Sequence, residues 1–319
     1  MKYSPDMHDD VREAIAKTIP QYIFDQYRHY PAADSDGWRH FLQNRVDDLL
    51  TNEEALVFIE ISEGFIYLVG CKVPRWDEEH FGFGMAKVDL LLYPADRYPN
   101  AIMGRLLDES IAFLRNANVR FVSSHISGED LLGLHLLEDR GFRYYQTTVY
   151  SVTQYNASVD STDTSVRLWR EEDLPAIVDI ARRNQFVGGH FYSDTRFDRK
   201  RVDMMYEKWI RTSWSNRDPI AVIEENDKIA GYFAFVFDDA WSRVAATKYA
   251  RMTSLAMDSS VRKKGLGMRL FGSVIAMAGQ CGAQYISSEY PLKNYPSGRV
   301  HTKHRFHAVH EKVLSHLWL

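Results

Sequence analysis

The sequence predicts an α+β (α/β) protein of two tandem mixed-sheet domains, spanning 1–155 and 164–319. Three observations predict this. The chain matches itself at an offset of 164 to 165 residues: Phe121-Val122-Ser123-Ser124 falls on Tyr285-Ile286-Ser287-Ser288, and Phe142, Val149 and Ser151 fall on Phe306, Val313 and Ser315. Upstream, Val57, Glu60, Tyr67 and Arg97 meet Val222, Glu225, Tyr232 and Arg262. One offset shared by many weak matches marks two copies of one fold. The second observation is that both copies run through the same order of patterns, amphipathic helix, hairpin, then strand–helix–strand, which closes a partly parallel sheet. The third is the polar stretch 156–163, whose composition is that of a linker where the copies should join.

Each element follows from its pattern. Helical periodicity covers 9–27 and 37–50 in the first copy, and 171–184 and 199–214 in the second. Hairpins follow, 55–60 with 65–69 turning at Ser62-Glu63-Gly64, and 220–224 with 230–237 turning at Asn226-Asp227-Lys228. A third strand comes next, 87–93 or 251–257, then a long helix, another strand and a short helix. The expected last strand of the second copy, 309–317, closes that copy's own sheet.

Composition narrows the function. The chain has 319 residues, 45% hydrophobic and 13% aromatic, enough for two cores. A net charge of −4 leaves no basic footprint for nucleic acid. No apolar run approaches the roughly 20 residues that cross a bilayer, and the N-terminus lacks the apolar centre of a signal peptide. Only Cys71 and Cys281 are present, too few for a disulfide framework or a Cys-rich zinc site, so a cytoplasmic protein is expected. His301 and His304 are spaced i,i+3, yet no third ligand completes a pattern, so no metal is expected.

The most informative segment is 252–270. An apolar strand ends at Asp258, and a loop then carries Arg262, Lys263, Lys264, Gly265, Leu266, Gly267 and Met268 into a helix. Consecutive N–H groups at a helix start, with the positive end of the dipole behind them, form an anion site, and glycine admits close approach to a pyrophosphate. The loop is not a Walker motif, because G-K-[ST] is absent, and a single G-x-G falls short of the dinucleotide fingerprint. The matching stretch of the first copy, 96–102, has no glycine and contains Pro99.

Arg262-Lys263-Lys264-Gly265-Leu266-Gly267 resembles the Q/R-x-x-G-x-G/A loop of the GNAT acetyltransferase superfamily, placed between the fourth strand and third helix that this family would have. The resemblance implies acetyl-CoA as co-substrate, with its pyrophosphate on 262–268, its pantetheine arm beside Leu255, Ala256 and Met257, and Asn294 as the asparagine after the fifth strand. It also implies that the first copy is degenerate. Three further segments make the chain similar to the dTDP-fucosamine acetyltransferases, a sugar-nucleotide branch of that superfamily: Trp76–Gly82 near a W-[DE]-x-x-F-F-G signature, Leu136–Phe142 near L-x-x-x-G-F, and Phe191–Asp194 followed by 206–210 ending Y-x-x-W-I. About 70 residues before Trp76, and Arg305-Phe306 in place of G-F, depart from that pattern.

The expected chemistry is acetyl transfer to a primary amine of a small molecule, an amino sugar or sugar nucleotide, by direct attack in a ternary complex. Alternatives are another small amine (aminoglycoside, polyamine, amino acid) and a non-catalytic CoA-binding protein; a homodimer is compatible with all three. Counting from Asn294 places His301 where the family's tyrosine protonates the leaving thiolate. His301 is therefore the first expected acid and Tyr295 the second, with His304, His307 and His310 nearby. Glu289, on the fifth strand, is the candidate base, and backbone N–H groups near Ala256 are the expected oxyanion donors. His190 and Tyr192, after Gly188-Gly189, are expected on the substrate side.

Overall fold

The computed structural model describes every residue except 1, 5–7, 33, 98–99, 159, 184–188 and 262–264. The chain divides into two compact units, Met1–Thr148 with His310–Leu319, and Val149–Val309. The expected boundaries at 155 and 164 therefore shift, and the last ten residues leave the second unit for the first.

Unit one begins with α1 (His8–Thr18) and α2 (Ser35–Thr51). The expected helix over 9–27 stops at Thr18 because Pro20 has no N–H to continue the ladder; 3₁₀ turns at Ile19–Gln21 and Gln26–His29 replace it. Asp34 caps α2, its carboxylate accepting from the Gly37 N–H at 2.7 Å. Next come β1 (Ala55–Ser62) and β2 (Phe65–Lys72), a hairpin that closes through Glu63 and Gly64, both left-handed (φ 53° and 75°). The aromatic segment at 76–82 is α3 (Arg75–Phe81), ended by Gly82 at φ 78°. Then follow β3 (Gly84–Leu92), α4 (Asn100–Asn116), β4 (Val119–Ser127) and α5 (Leu131–Glu138). The core lies between this sheet and α4, where Met103, Leu106, Leu107 and Leu114 pack on Val69, Val88 and Val122.

From Val149 onward β5 (Arg143–Gln154) belongs to unit two, where it lies beside β10 (Tyr285–Pro291). The elements between are β6 (Val166–Leu168), α6 (Leu174–Arg183), α7 (His190–Ser193), α8 (Arg199–Ser215), β7 (Ile220–Glu225), β8 (Lys228–Phe237), α9 (Asp239–Val244), β9 (Tyr249–Met257) and α10 (Leu266–Gln280). The chain ends with α11 (Tyr295–Lys303) and β11 (His307–Trp318). The β7–β8 hairpin repeats the left-handed pair of the first, with Asn226 at φ 51° and Asp227 at φ 59°. The sheet of unit two buries both faces. Phe233, Phe235 and Met252 meet α10 on one side, whereas Tyr232, Ala234 and Ala256 meet α6 and α8 on the other.

The last strand overturns one expectation. β11 does not close the sheet of unit two; Lys312–Trp318 pairs antiparallel with Ser127–Phe121 of β4 in unit one. Leu317 and Leu319 pack on that unit's core. In unit two the vacant edge of β10 is taken by β5, whose Ser151 hydroxyl donates to the Ser288 carbonyl at 3.0 Å. The stretch 156–163 is also more than a tether. Asp163 holds both arms of Arg269 on α10 at 2.8 Å, and Asp160 accepts from Arg305 at 2.6 Å.

Candidate active site

Two strands that part company make the cleft. β9 and β10 pair in parallel only at Tyr249–Tyr285, Ala250–Ile286 and Arg251–Ser287. Beyond this, β9 stays paired to β8 as far as Met257–Gly231, and no β10 residue faces its other edge. A register shift helps turn the strand: Phe235 faces Met252 while Ala234 faces Ser254, leaving Thr253 as an extra residue whose hydroxyl donates to the Ala234 carbonyl at 3.1 Å. Leu255, Ala256 and Met257 thus lie on the free edge. Leu255 and Met257 belong to the α10 side and Ala256 to the α6/α8 side, as strand alternation requires.

The cleft points at the start of α10. Asp258 ends β9 and accepts from the Ser260 N–H at 2.8 Å, steering a short 3₁₀ turn over Ser259–Val261. Arg262, Lys263 and Lys264 lie outside the described residues. Gly265 then enters α10 at φ 78°; among the described residues no heavy atom lies within 4 Å of where a Cβ would stand and no side chain caps the helix. Leu266 is buried, Met268 half-buried, and a Cβ on Gly267 would touch Met257 Cγ at 3.5 Å. The open Gly265, the uncapped helix start and the unpartnered strand edge fit a phosphate-bearing ligand with an amide arm.

The other expected site residues lie around α11. Asn294 caps that helix, accepting from the Ser297 N–H at 3.2 Å. Tyr295 is 72% exposed, and Glu289 is exposed on β10. His301, expected to protonate the sulfur directly, is only 3% exposed, and both of its nitrogens are engaged. Nδ1 lies 2.8 Å from the Ser297 carbonyl and Nε2 lies 2.9 Å from Ser288 Oγ. Burial pulls its pKa down to about 4, so at neutral pH the ring is uncharged. As a direct acid His301 would act from this buried, doubly hydrogen-bonded position. Ser288 is the residue that the sequence reading passed over. Its signal was the Ser-Ser pair repeated at 123–124 and 287–288, which served only to align the copies. His304 donates through Nε2 to the Met268 carbonyl at 3.2 Å, tying α11 to α10. Among the described residues no group of side chains could hold a metal.

On the other face of unit two, α7 and α8 carry an aromatic cluster. Tyr192 is buried, and its hydroxyl donates to Asp203 at 2.5 Å, which together with burial raises its pKa. Its ring stacks on Tyr206 with centroids 5.8 Å apart, Arg199 lies 4.0 Å from its centre, and Trp209 meets Tyr206 edge-on. His190 opens α7 with its ring 4.0 Å from Phe191. Tyr232 on β8 reaches Ser254 on β9 at 3.3 Å.

Unit one has a splay of its own. β3 and β4 pair from Gly84–Val119 to Val88–Ser124, and both strands then run on unpaired with each other. This gap is occupied by charge. Asp25 is bonded to Arg45, Asp89 bridges Lys72 (3.0 Å) and Lys87 (2.8 Å), and Lys312 lines the same cavity, which has about 20 Å³ of room. Burial alone would raise the Asp25 carboxyl, but Arg45 and Lys312 beside it hold it below its ordinary value. Burial pulls Lys312 down to about 8.

Comparison with known proteins agrees with this geometry. Residues 174–306 match the model of the Acetyltransferase (GNAT) family. No curated protein matches the sequence. Among solved structures, a GCN5-related N-acetyltransferase from Sphaerobacter thermophilus superposes with a TM-score of 0.63 at 14% identity, over 100% of this chain and 95% of that one. A tandem GNAT protein from the clavulanic acid biosynthesis pathway gives 0.55 at 12% identity, over 95% of each. The GCN5-related glucosamine N-acetyltransferase region of a fungal multi-domain GH3 β-N-acetylglucosaminidase gives 0.65 at 10% identity, over 99% of this chain and 38% of that one. At these identities the structural likeness establishes the fold, that of a tandem GNAT, and the family match falls on the unit with the open strand edge. Residues 174–306 are thus similar to the GNAT acetyltransferase family, which marks the chain as an acyltransferase.

Proposed function

We propose that the chain moves acetyl from acetyl-CoA to a primary amine of an amino sugar or sugar nucleotide, in a ternary complex formed in unit two. The observation that carries this reading is the divergence of β9 and β10 immediately ahead of the uncapped start of α10. When bound, acetyl-CoA supplies the activated acetyl thioester. The N–H groups of Gly265, Leu266 and Gly267 would receive its pyrophosphate, assisted by Arg262, Lys263 and Lys264, while the Met268 N–H closes the first turn on the Gly265 carbonyl at 3.1 Å. The free edge of Leu255, Ala256 and Met257 would pair with its amides, and an N–H near Ala256 would steady the carbonyl oxygen as charge develops there. Asn294 shapes the cleft by capping α11.

The acceptor would approach from the α7–α8 face, where the exposed Trp209 and half-buried Tyr206 offer aromatic surface beside the Asp203 carboxylate, and buried Tyr192 backs them from within. Such surfaces suit the apolar face of a sugar and its amine. His190 stands at the same end of α7. The glucosamine N-acetyltransferase region found among the similar structures and the dTDP-fucosamine acetyltransferase-like segments support the same acceptor class. Glu289 and Tyr295, both exposed, serve as the candidate base and second candidate acid. Unit one is the degenerate copy.

A panel of amino sugars, amino-sugar nucleotides, aminoglycosides, polyamines and amino acids, incubated with acetyl-CoA and read by mass spectrometry, tests the reading. Acetylated amino sugars or their nucleotides are expected. Acetylation confined to polyamines, aminoglycosides or amino acids would replace the substrate class, and tight CoA binding without any product would leave a CoA-binding protein.

A further inference from the structure

We propose that Ser288 and His301 form a proton shuttle at the acetyl end of the cleft, with Ser288 touching the reacting atoms and His301 acting through it. The proposal rests on the acetyl-transfer reading above and adds a residue to it. Ser288 is the first residue of β10 beyond its last pairing with β9, so it stands where the strands open. The hydrogen-bond arithmetic then fixes the proton positions. A carbonyl only accepts, so the 2.8 Å contact to Ser297 O assigns hydrogen to Nδ1 of His301. Nε2 is therefore an acceptor, and at 2.9 Å the Ser288 hydroxyl donates to it. The Ser288 lone pairs are left to accept a proton from a third group. Phe271 at 5.0 Å, Tyr290 at 4.4 Å and Phe306 at 5.0 Å hold the imidazole in place, and His304 is the titratable neighbour that opposes a charge on it.

Unit one provides the contrast. The repeat places Ser124 opposite Ser288 and Leu137 opposite His301. Ser124 is fully buried, and among the described residues its hydroxyl has no hydrogen-bond partner. The serine alone is thus a feature of the fold, whereas the serine with its histidine belongs to the unit with the open cleft.

The shuttle balances the reaction. As the acceptor nitrogen forms its bond to the acetyl carbon, Ser288 Oγ takes a proton from that nitrogen while passing its own to His301 Nε2. As the carbon–sulfur bond breaks and its electron pair leaves on sulfur, His301 Nε2 returns the proton to Ser288 Oγ, which gives one to the sulfur. One proton moves from nitrogen to sulfur and the protein ends uncharged. The low pKa of His301 suits a carrier that releases its proton at once.

The test uses CoA itself. The thiol of CoA bound to the full chain is titrated by its thiolate ultraviolet absorbance, with calorimetry on the same samples. A Ser288 oxygen whose hydrogen is held by His301 accepts from the thiol S–H, and this should raise the bound thiol's pKa by about one unit above the ordinary value near 8.5. Ser288→Ala should abolish that shift with CoA affinity changed less than about threefold, Ser288→Thr should keep it, and His301→Phe should reduce it. A thiol pKa identical in the wild-type chain and Ser288→Ala, with CoA bound to both, overturns the shuttle and leaves the acetyltransferase reading standing. Failure of the wild-type chain to bind CoA overturns both.

Discussion

Burial keeps His301 and His310 neutral, and this ties folding to pH. Desolvation draws each pKa to about 4 in the folded chain, with the Lys312 charge adding to the effect at His310, whereas an unfolded histidine titrates at its ordinary 6.5. Between these values the unfolded chain binds protons that the folded chain refuses. The stability that both side chains contribute is therefore whole above about pH 6.5 and is lost as pH falls toward 4, by at most about 1.4 kcal/mol per unit per histidine. Urea unfolding should show a lower midpoint at pH 5 than at pH 7, and His301→Gln should flatten part of that dependence. An equal slope in the variant would show that His301 titrates normally. The position of His301 was legible from the count after Asn294, but its burial was not. A sequence gives a histidine's place on a helix and not the two oxygens that close around its ring.

At the scale of elements, α10 and α11 owe their close approach to one missing side chain. A Cβ on Gly272 would lie 2.8 Å from Cε1 of His304. That ring cannot easily move aside, since it is bonded to the Met268 carbonyl and stacked on Phe271 with centroids 5.3 Å apart. Gly272→Ala should therefore destabilise unit two by about 1–3 kcal/mol despite the better helix propensity of alanine. Adding His304→Ala should recover much of the loss, because the colliding atoms are gone. Chemical denaturation of the four proteins measures the coupling, and additive effects would show that the two residues do not collide. Elements of this kind were largely readable. Both hairpins announced themselves through Glu63-Gly64 and Asn226-Asp227, which accept left-handed backbone, and the strand–loop–helix at 249–280 through its apolar run and glycines. The exchange of the final strands was not readable, because β11 has the same alternating pattern whichever sheet receives it, and the choice depends on which edge is open.

For the whole molecule, duplication raises the question of how many cofactor sites two copies retain. The repeat made the duplication legible, and the absence of glycine at 96–102 already set the first copy apart. What fills the gap in that copy came only from the fold, since Asp25, Arg45, Asp89 and Lys312 are far apart in sequence. Each ion there has an opposite charge close by. Asp25 takes Arg45, Trp38 Nε1 and the Tyr27 N–H, while Asp89 takes Lys72 and Lys87. A pantetheine arm entering that gap would have to break these pairs, at about 3–5 kcal/mol for a buried one, and find room where the cavity has space for about one water. Unit two asks for no such sacrifice at Leu255–Met257 or at Gly265. Calorimetric titration with CoA should accordingly give a stoichiometry near one per chain. Gly267→Asp should weaken the binding at least about tenfold by setting a carboxylate against phosphate, while Arg45→Met should leave it unchanged. A stoichiometry near two, or CoA binding that survives Gly267→Asp and falls with Arg45→Met, would move the site to unit one and reverse the roles of the two copies.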